Sequence, residues 1–284
     1  MNARELTDQI AAKLAAEVRR NGDIIPYIAE DGVYKTDMRQ KNLSWWTNGF
    51  WAGLLWQMYH AVGVAEFKAT AEKTEGWLDE AMADFTGLHH DVGFMWMLSA
   101  VADYRLTGNE KSRIRAMHAA TLLAGRYNPN GRFLRAWNGD KTGWMIVDCL
   151  MNLSLLYWAS DETGDPRYAE IAQNHADTAL RVLLRPDGSC NHIAVLDPVT
   201  GELTDAPAGQ GYAPGSSWSR GQSWAVYGFA LSAKHTGEAR YLEAAKRSAH
   251  YFIANAATHN WEPLVDFLAP ESPELLDMSA GAIA

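Results

Sequence analysis

Arg105-Leu106-Thr107-Gly108-Asn109 closes one apolar run and opens a charged one. The same punctuation returns at Glu162-Thr163-Gly164-Asp165 and at His235-Thr236-Gly237-Glu238. Glycine just past the end of a helix accepts the left-handed backbone that stops it, so each joint reads as the corner of a helical hairpin, and three alike make an internal repeat. Working outward from these joints, helical periodicity covers residues 47–62, 66–84, 93–107, 110–125, 144–160, 165–184, 221–236 and 239–256. Residues 4–20 add a helix with Leu6, Ile10, Leu14 and Val18 on one face. Gly63 and Asn128-Pro129-Asn130-Gly131 supply further breaks.

The two members of each hairpin differ. The first opens on an aromatic and Gly-rich stretch and is apolar nearly all round, as buried helices are: Trp45-Trp46-Thr47-Asn48-Gly49-Phe50-Trp51, Asp91-Val92-Gly93-Phe94, Gly143-Trp144-Met145-Ile146 and Arg220-Gly221-Gln222-Ser223-Trp224. The second (66–84, 110–125, 165–184, 239–256) carries Lys, Arg and Glu on one face. Inner apolar helices alternating with outer amphipathic ones describe an all-α fold, an α/α toroid, with the N-termini of the inner helices converging on one mouth. A plain solenoid of helical pairs is the alternative. Residues 1–284 are expected to form one such domain. About ten helical segments are expected, against the twelve that close a toroid, with an inner helix just starting at Asp277-Met278-Ser279-Ala280, so the chain is expected to stop short of the last helices. Residues 185–219, with Asp187-Gly188, Asp197-Pro198, Pro207, Gly209 and Pro214-Gly215, break the rhythm and are read as a wall of the site with short strands.

Composition narrows the function. A net charge of −9 argues against a nucleic-acid surface. Only Cys149 and Cys190 are present, which fits a reducing compartment. The first twenty residues have no apolar signal core and no run reaches membrane-spanning length, so a cytoplasmic protein with no membrane partner is expected. Twelve Trp and eleven Tyr are the compositional outliers; core is one reading of them, and carbohydrate is the second, because aromatic faces also pack against the C–H faces of sugar rings.

Three constellations carry chemistry. In His89-His90-Asp91-Val92-Gly93-Phe94, Asp91 suits either a helix N-cap or a reacting carboxylate. The paired histidines invite a metal. Adjacent side chains are expected to diverge, however, and no Cys or further His lies at ligand spacing, so no metal and no cofactor is expected. In Trp144-Met145-Ile146-Val147-Asp148-Cys149-Leu150-Met151-Asn152, Asp148 lies between apolar neighbours, where a carboxylate is costly unless it caps a loop or serves chemistry. Two such carboxylates are the minimum equipment for acid/base work on a glycosidic linkage. In Gln210-Gly211-Tyr212 and Trp218-Ser219-Arg220-Gly221-Gln222-Ser223-Trp224, Arg220 can clamp a carboxylate or pin a loop through a salt bridge. Trp45, Trp46, Trp137 and Trp224 are sugar platforms or core. Phosphate loops, Ser nucleophile elbows, Cys-x-x-Cys pairs and basic amphipathic helices are lacking, which weakens nucleotide, triad, zinc and membrane readings.

His90-Asp91-Val92-Gly93-Phe94, Ile146-Val147-Asp148-Cys149-Leu150-Met151-Asn152 and Ser219-Arg220-Gly221-Gln222-Ser223-Trp224-Ala225-Val226-Tyr227-Gly228, in this order, resemble unsaturated glucuronyl hydrolases of glycoside hydrolase family 88; Trp45-Trp46-Thr47-Asn48-Gly49-Phe50-Trp51 is similar to that family's first inner-helix opening. The resemblance runs from about residue 20 to the end. It implies an (α/α)6 barrel acting on unsaturated oligosaccharides that polysaccharide lyases generate. It also implies that a 4,5-unsaturated uronic acid is removed by hydration of its vinyl ether rather than by attack at the anomeric carbon. By resemblance, Asp148 protonates C4 and helps water add at C5, and Asp91 is the auxiliary carboxylate. His90, Trp137, His192, Gln210, Arg220 and Trp224 match family positions near the substrate, and Trp45 is expected to join them as a substrate-binding residue. The related unsaturated rhamnogalacturonyl hydrolases differ after the Arg-Gly, with Asn-Gly-Trp where this chain has Gln222-Ser223-Trp224. A non-catalytic sugar-binding α/α toroid is the reading from another class.

Overall fold

The computed structural model describes residues 2–270 and 272–284. They fall into two compact units, Met1–Thr121 and Leu122–Ala284.

The first unit holds α1 (Ala3–Asn21), a two-residue hairpin β1–β2 (Ala29–Glu30, Val33–Tyr34), a single turn α2 (Met38–Lys41), α3 (Asn48–Val62), α4 (Ala65–Asp84), α5 (Val92–Leu98), α6 (Ala100–Thr107) and the start of α7 (Glu110–Ala124). The expected helix over 93–107 is thus two, broken at Ser99, which has left regular helical backbone at φ −100°, ψ −85°. α1 opens on a capping box, with Asn2 accepting the Glu5 amide at 2.9 Å and Glu5 accepting that of Asn2 at 3.0 Å. α3 lies so close to α5 that a Cβ on Gly49 would sit 2.3 Å from the Met95 carbonyl oxygen.

The second unit holds the hairpin β3–β4 (Tyr127–Asn128, Phe133–Leu134), β5 (Trp144–Ile146), α8 (Cys149–Thr163), α9 (Arg167–Val182), β6 (Ile193–Leu196), β7 (Leu203–Asp205), α10 (Ser219–Thr236), α11 (Ala239–Ala256) and α12 (Met278–Ile283). β5, β6 and β7 form an antiparallel sheet in that order. The helix expected over 144–160 is corrected: Trp144–Ile146 is strand and the helix begins at Cys149. α8 packs on α9 and α10, and α10 on α11 and α12. The expected contrast between helix types holds within this unit. α8 is buried on every side from Asn152 to Ala159, whereas α11 buries one stripe, Tyr241, Ala244, Ala245, Ser248, Phe252 and Ala256. Leu150, Leu153, Leu155 and Leu156 are fully buried. Each contributes about 1.5–3 kcal/mol by leaving water, against helix-propensity differences below about 0.7 kcal/mol, so packing rather than propensity holds α8.

The repeated joints are physically one device. Gly108, Gly164 and Gly237 are left-handed at φ 73°, 70° and 71°, and their amides close the preceding helices onto Tyr104, Ser160 and Ala233 at 2.8–2.9 Å. The threonine before each glycine donates its hydroxyl to the carbonyl four residues back, at 3.0, 2.7 and 2.7 Å for Thr107, Thr163 and Thr236. Its oxygen accepts the amide two residues on, at 3.2 Å in all three cases. One hydroxyl therefore ends a helix and aims the chain into the next.

Two buried carboxyl groups meet between α4, α6 and α7. Glu75 and Asp103 are both sealed from solvent, and the Ser112 hydroxyl lies 2.6 Å from a carboxylate oxygen of each. One hydroxyl hydrogen can serve only one of them at a time. Asp103 also receives Thr107 Oγ1 at 2.7 Å and Asn109 Nδ2 at 2.6 Å. Glu75 receives Trp56 Nε1 at 2.8 Å, and Arg115 is 3.5 Å away but is engaged at 2.7 Å by Asp79. Burial, reinforced by the Asp103 charge, pushes the Glu75 carboxyl from 4.5 up to about 7. The folded-state value lies above the unfolded one. The contribution is therefore full below pH 4.5 and is lost as pH rises to about 7, on the order of 3 kcal/mol across that window. Glu75→Gln keeps a neutral donor toward Ser112. Urea midpoints taken from pH 5 to pH 8 are expected to fall less steeply in this variant than in the parent; parallel curves would contradict the raised Glu75 carboxyl.

Candidate active site

The start of α8 is set by the sheet. β5 pairs with β6 through Trp144–Val195, Met145–Ala194 and Ile146–Ile193, and the Val147 amide extends the ladder by donating to the His192 carbonyl at 3.0 Å. The chain then turns helical. Asp148 occupies the N-cap position at φ −65°, ψ −18°, yet its side chain does not bond the first amides of the helix. The carboxylate is half-buried at the positive end of a helix, and the capping explanation for it does not apply. Upstream, Trp137 stands edge-on to Trp144 with ring centroids 5.8 Å apart, and the Lys141 ammonium covers Trp144 at 3.9 Å.

The segment 185–219 is ordered by its own polar groups. Arg185 donates to Ser189 Oγ at 2.6 Å, Asn191 Oδ1 at 2.7 Å and the Ser216 carbonyl at 2.8 Å. Burial works to raise the Asp187 carboxyl, but the Ser189 hydroxyl and amide and the Arg185 charge outweigh it and hold the group below its usual range. Asp197 accepts the amides of Val199 and Thr200 at 2.7 and 2.9 Å and turns the chain between β6 and β7.

Four residues then close a ring of contacts. The Gln210 amide donates to His192 Nδ1 at 2.9 Å. The His192 ring leans on Trp218 at 4.5 Å, and the Arg220 guanidinium covers the other ring of that contact at 4.9 Å from the Trp218 centroid. Arg220 Nη2 donates to Gln210 Oε1 at 3.1 Å, which completes the circuit. An imidazole that accepts at Nδ1 carries its single proton on Nε2, so His192 here is a neutral donor. Arg220 also reaches Ser279 Oγ at 3.3 Å and Asp277 at 3.8 Å, contacts that fit the loop-pinning role. Trp218 was legible as part of the motif but not as a member of the site. Gln222, next to it, is an internal anchor, donating to the carbonyls of Gly188 at 2.7 Å and Ser248 at 3.1 Å. Trp224 is only 6% exposed.

Trp45, His90 and Asp91 lie in the first unit. Asp91, 7% exposed, sits at the N-cap position of α5, again with no side-chain bond to the helix amides. His90 Nε2 is 3.1 Å and His89 Nδ1 3.5 Å from its two oxygens. The expected divergence of the histidines is corrected. They lie in a turn, not a strand, and their rings stack at 4.9 Å and 20°. Three ligand atoms of His89, His90 and Asp91 fall within 4.8 Å of one another, a spacing that a small cation accepts, although the same atoms already serve each other as ion-pair partners. Trp45 and Trp46 are half-buried, the former edge-on to Tyr27 at 6.2 Å and the latter against Phe50 and Phe94 at 5.5 and 5.4 Å.

Helical hairpins that open on carboxylates, tryptophans and a guanidinium are suited to a carbohydrate-active α/α enzyme. Residues 19–261 match the family model of Glycosyl Hydrolase Family 88, and the chain belongs to that family. It is 37% identical over 278 residues to the unsaturated glucuronyl hydrolase of Bacillus sp. (strain GL1), covering 95% of this chain and 72% of the relative. It is 38% identical over 212 residues to an unsaturated chondroitin disaccharide hydrolase of Streptococcus pyogenes serotype M1, covering 73% of this chain and 53% of the relative, so the matched part spans about half of that protein. The crystal structure of the Bacillus sp. GL1 enzyme, described as responsible for the degradation of glycosaminoglycan, superposes with a TM-score of 0.91 at 35% identity over 98% of this chain and 74% of that one. The fold class is accordingly all-α, that of the (α/α)6-barrel enzymes.

Gly209 makes the His192 contact possible. It is left-handed at φ 61°, and a Cβ there would lie 2.0 Å from His192 Nδ1. Gly209→Ala is expected to cost about 1–3 kcal/mol in urea unfolding while leaving the far-ultraviolet helix signal intact. A variant as stable as the parent would show that the ring is not held as described.

Proposed function

We propose that the chain removes a 4,5-unsaturated uronic acid from the non-reducing end of lyase-generated oligosaccharides by hydrating the vinyl ether double bond. The observation that carries this reading is Asp148: a half-buried carboxylate at a helix mouth, not engaged as a cap, tied by the Val147–His192 bond to the His192–Gln210–Arg220 circuit. Membership of family 88, and relatives named for unsaturated glucuronyl and chondroitin disaccharide hydrolysis, support it.

In this mechanism protonated Asp148 delivers its proton to C4. The electrons of the C4–C5 double bond form the new C4–H bond, and positive charge develops on C5 and the ring oxygen. Water adds to C5 and returns a proton to Asp148, so the acid is regenerated and one water is consumed. The hemiketal opens by breaking the bond from C5 to the ring oxygen. The hemiacetal left at C1 then expels the remaining sugar. Asp91, flanked by two imidazoles, is assigned the auxiliary role of stabilising the developing charge and holding hydroxyls, with His90. Arg220 suits the substrate carboxylate, as its planar fork does elsewhere. His192 and Gln210 suit the ring hydroxyls, and Trp45, Trp137 and Trp224 its apolar faces.

The setting we propose is the cytoplasm. Cys149 and Cys190 are both buried thiols with no disulfide, and burial pushes the Cys190 thiol up to about 12. Among the described residues no helix is long and apolar enough to cross a membrane.

Asp148→Asn keeps the shape and loses the proton. Turnover of an unsaturated disaccharide, followed by loss of the ultraviolet absorbance of its double bond, is expected to drop about 10²- to 10⁴-fold with the fold unchanged by circular dichroism. Full activity in that variant would end this reading.

A further inference from the structure

Asp266 has no place in the reaction described above, yet it is fully buried and accepts four hydrogen bonds. One carboxylate oxygen takes the Tyr212 amide at 3.0 Å and the Ser216 hydroxyl at 2.7 Å. The other takes the amides of Ser217 at 3.0 Å and Leu268 at 2.9 Å. A buried carboxylate so fully satisfied is a strong fastener, because removing its charge leaves several amides without an acceptor. Three of the four donors belong to the turn 212–217. At one end of that turn lies Gln210, and at the other lies Trp218, whose backbone also bridges to Asp266. These two residues contact the His192 ring from the amide side and from its face. There is no slack between fastener and ring: Gly211 packs so closely that a Cβ would lie 3.1 Å from Asp266 Oδ2.

We propose that Asp266 is a positioning residue for the reaction. It holds the 212–217 turn so that the Gln210 amide keeps His192 in the tautomer protonated at Nε2, and so that Gln210 Oε1 keeps the Arg220 guanidinium over Trp218. The inference rests on the assignment of His192, Gln210 and Arg220 to the substrate. Asp266 itself touches none of the reacting atoms. It acts through the turn, and the state it controls is which ring nitrogen of His192 donates.

The test uses Asp266→Asn and, as a milder change, Ser216→Ala. An amide nitrogen in place of either Asp266 oxygen faces at least one backbone N–H, so the turn must shift; Ser216→Ala removes one of the four donors and leaves the carboxylate. Nitrogen NMR of histidine-labelled protein reads the His192 tautomer directly. The parent is expected to show an acceptor-type Nδ1 and a protonated Nε2, and Asp266→Asn a mixed or exchanging pair. Steady-state kinetics well below the unfolding temperature are expected to show kcat/KM for an unsaturated disaccharide lowered about 10- to 100-fold in Asp266→Asn, and less in Ser216→Ala. A folded Asp266→Asn with unchanged His192 resonances and unchanged kcat/KM overturns the proposal. Should that variant not fold, a Ser216→Ala protein identical to the parent in both readouts overturns it equally. If the parent turns over no unsaturated sugar at all, the functional reading fails while the tautomer measurement still decides the role of Asp266.

Discussion

The hydrogen bond from the Val147 amide to the His192 carbonyl, 3.0 Å long, is the constraint on which the second unit's site depends. It is the last rung of the β5–β6 ladder, and it fixes where strand ends and helix begins. One residue later the chain has helical dihedrals, and that residue is Asp148. A ladder one residue longer or shorter would move another side chain to the helix mouth, because neighbouring strand residues point to opposite faces. The same rung binds the helix start to a segment far along the chain. The position of the carboxylate and the position of His192 are therefore set by one interaction, and everything that orders the 185–219 segment also orders the surroundings of Asp148.

Carboxylates here divide into two kinds by what they bond. Asp37, Asp197 and Asp266 each collect backbone amides and hold a turn or a short helix in shape. Asp91 and Asp148 stand at helix N-caps and leave the helix amides to others. Helix starts are where short polar residues normally earn their place by capping. Two carboxylates that forgo capping, in apolar and aromatic surroundings, call for a different reason, and the reaction we propose supplies one. Glu75 and Asp103 belong to neither kind: they are sealed in the first unit and meet at the Ser112 hydroxyl.

Much of this was legible in the sequence because its causes are local. The Thr-Gly joints announce themselves, since the hydroxyl and the left-handed glycine act within five residues of one another. The contrast between all-round apolar and one-faced helices is likewise a local pattern, and Asp91, Asp148 and Arg220 stood out by their neighbours. What the sequence hid was non-local. Trp144-Met145-Ile146 is a short apolar run, which reads as helix or strand alike until its partner Ile193–Val195 is known. Asp266 lies in an unremarkable stretch, and its partners are backbone amides that carry no residue signature. The stacking of His89 on His90 contradicts a rule that holds for strands and fails in a turn. The break of α5 from α6 at Ser99, whose hydroxyl returns to the Met95 carbonyl at 2.5 Å, has no glycine or proline to mark it.

At the centre of this account stands a carboxylic acid at the mouth of α8 that gives its proton to a carbon atom rather than to a glycosidic oxygen. An unsaturated uronic acid joined to its neighbour through carbon, with no glycosidic oxygen to protonate and no bond to hydrolyse, separates the two chemistries. The account predicts that the chain consumes the double bond of this analogue, seen as steady loss of its ultraviolet absorbance, at a rate comparable to that of the oxygen-linked sugar. An absorbance that stays constant while the oxygen-linked sugar is cleaved would contradict it.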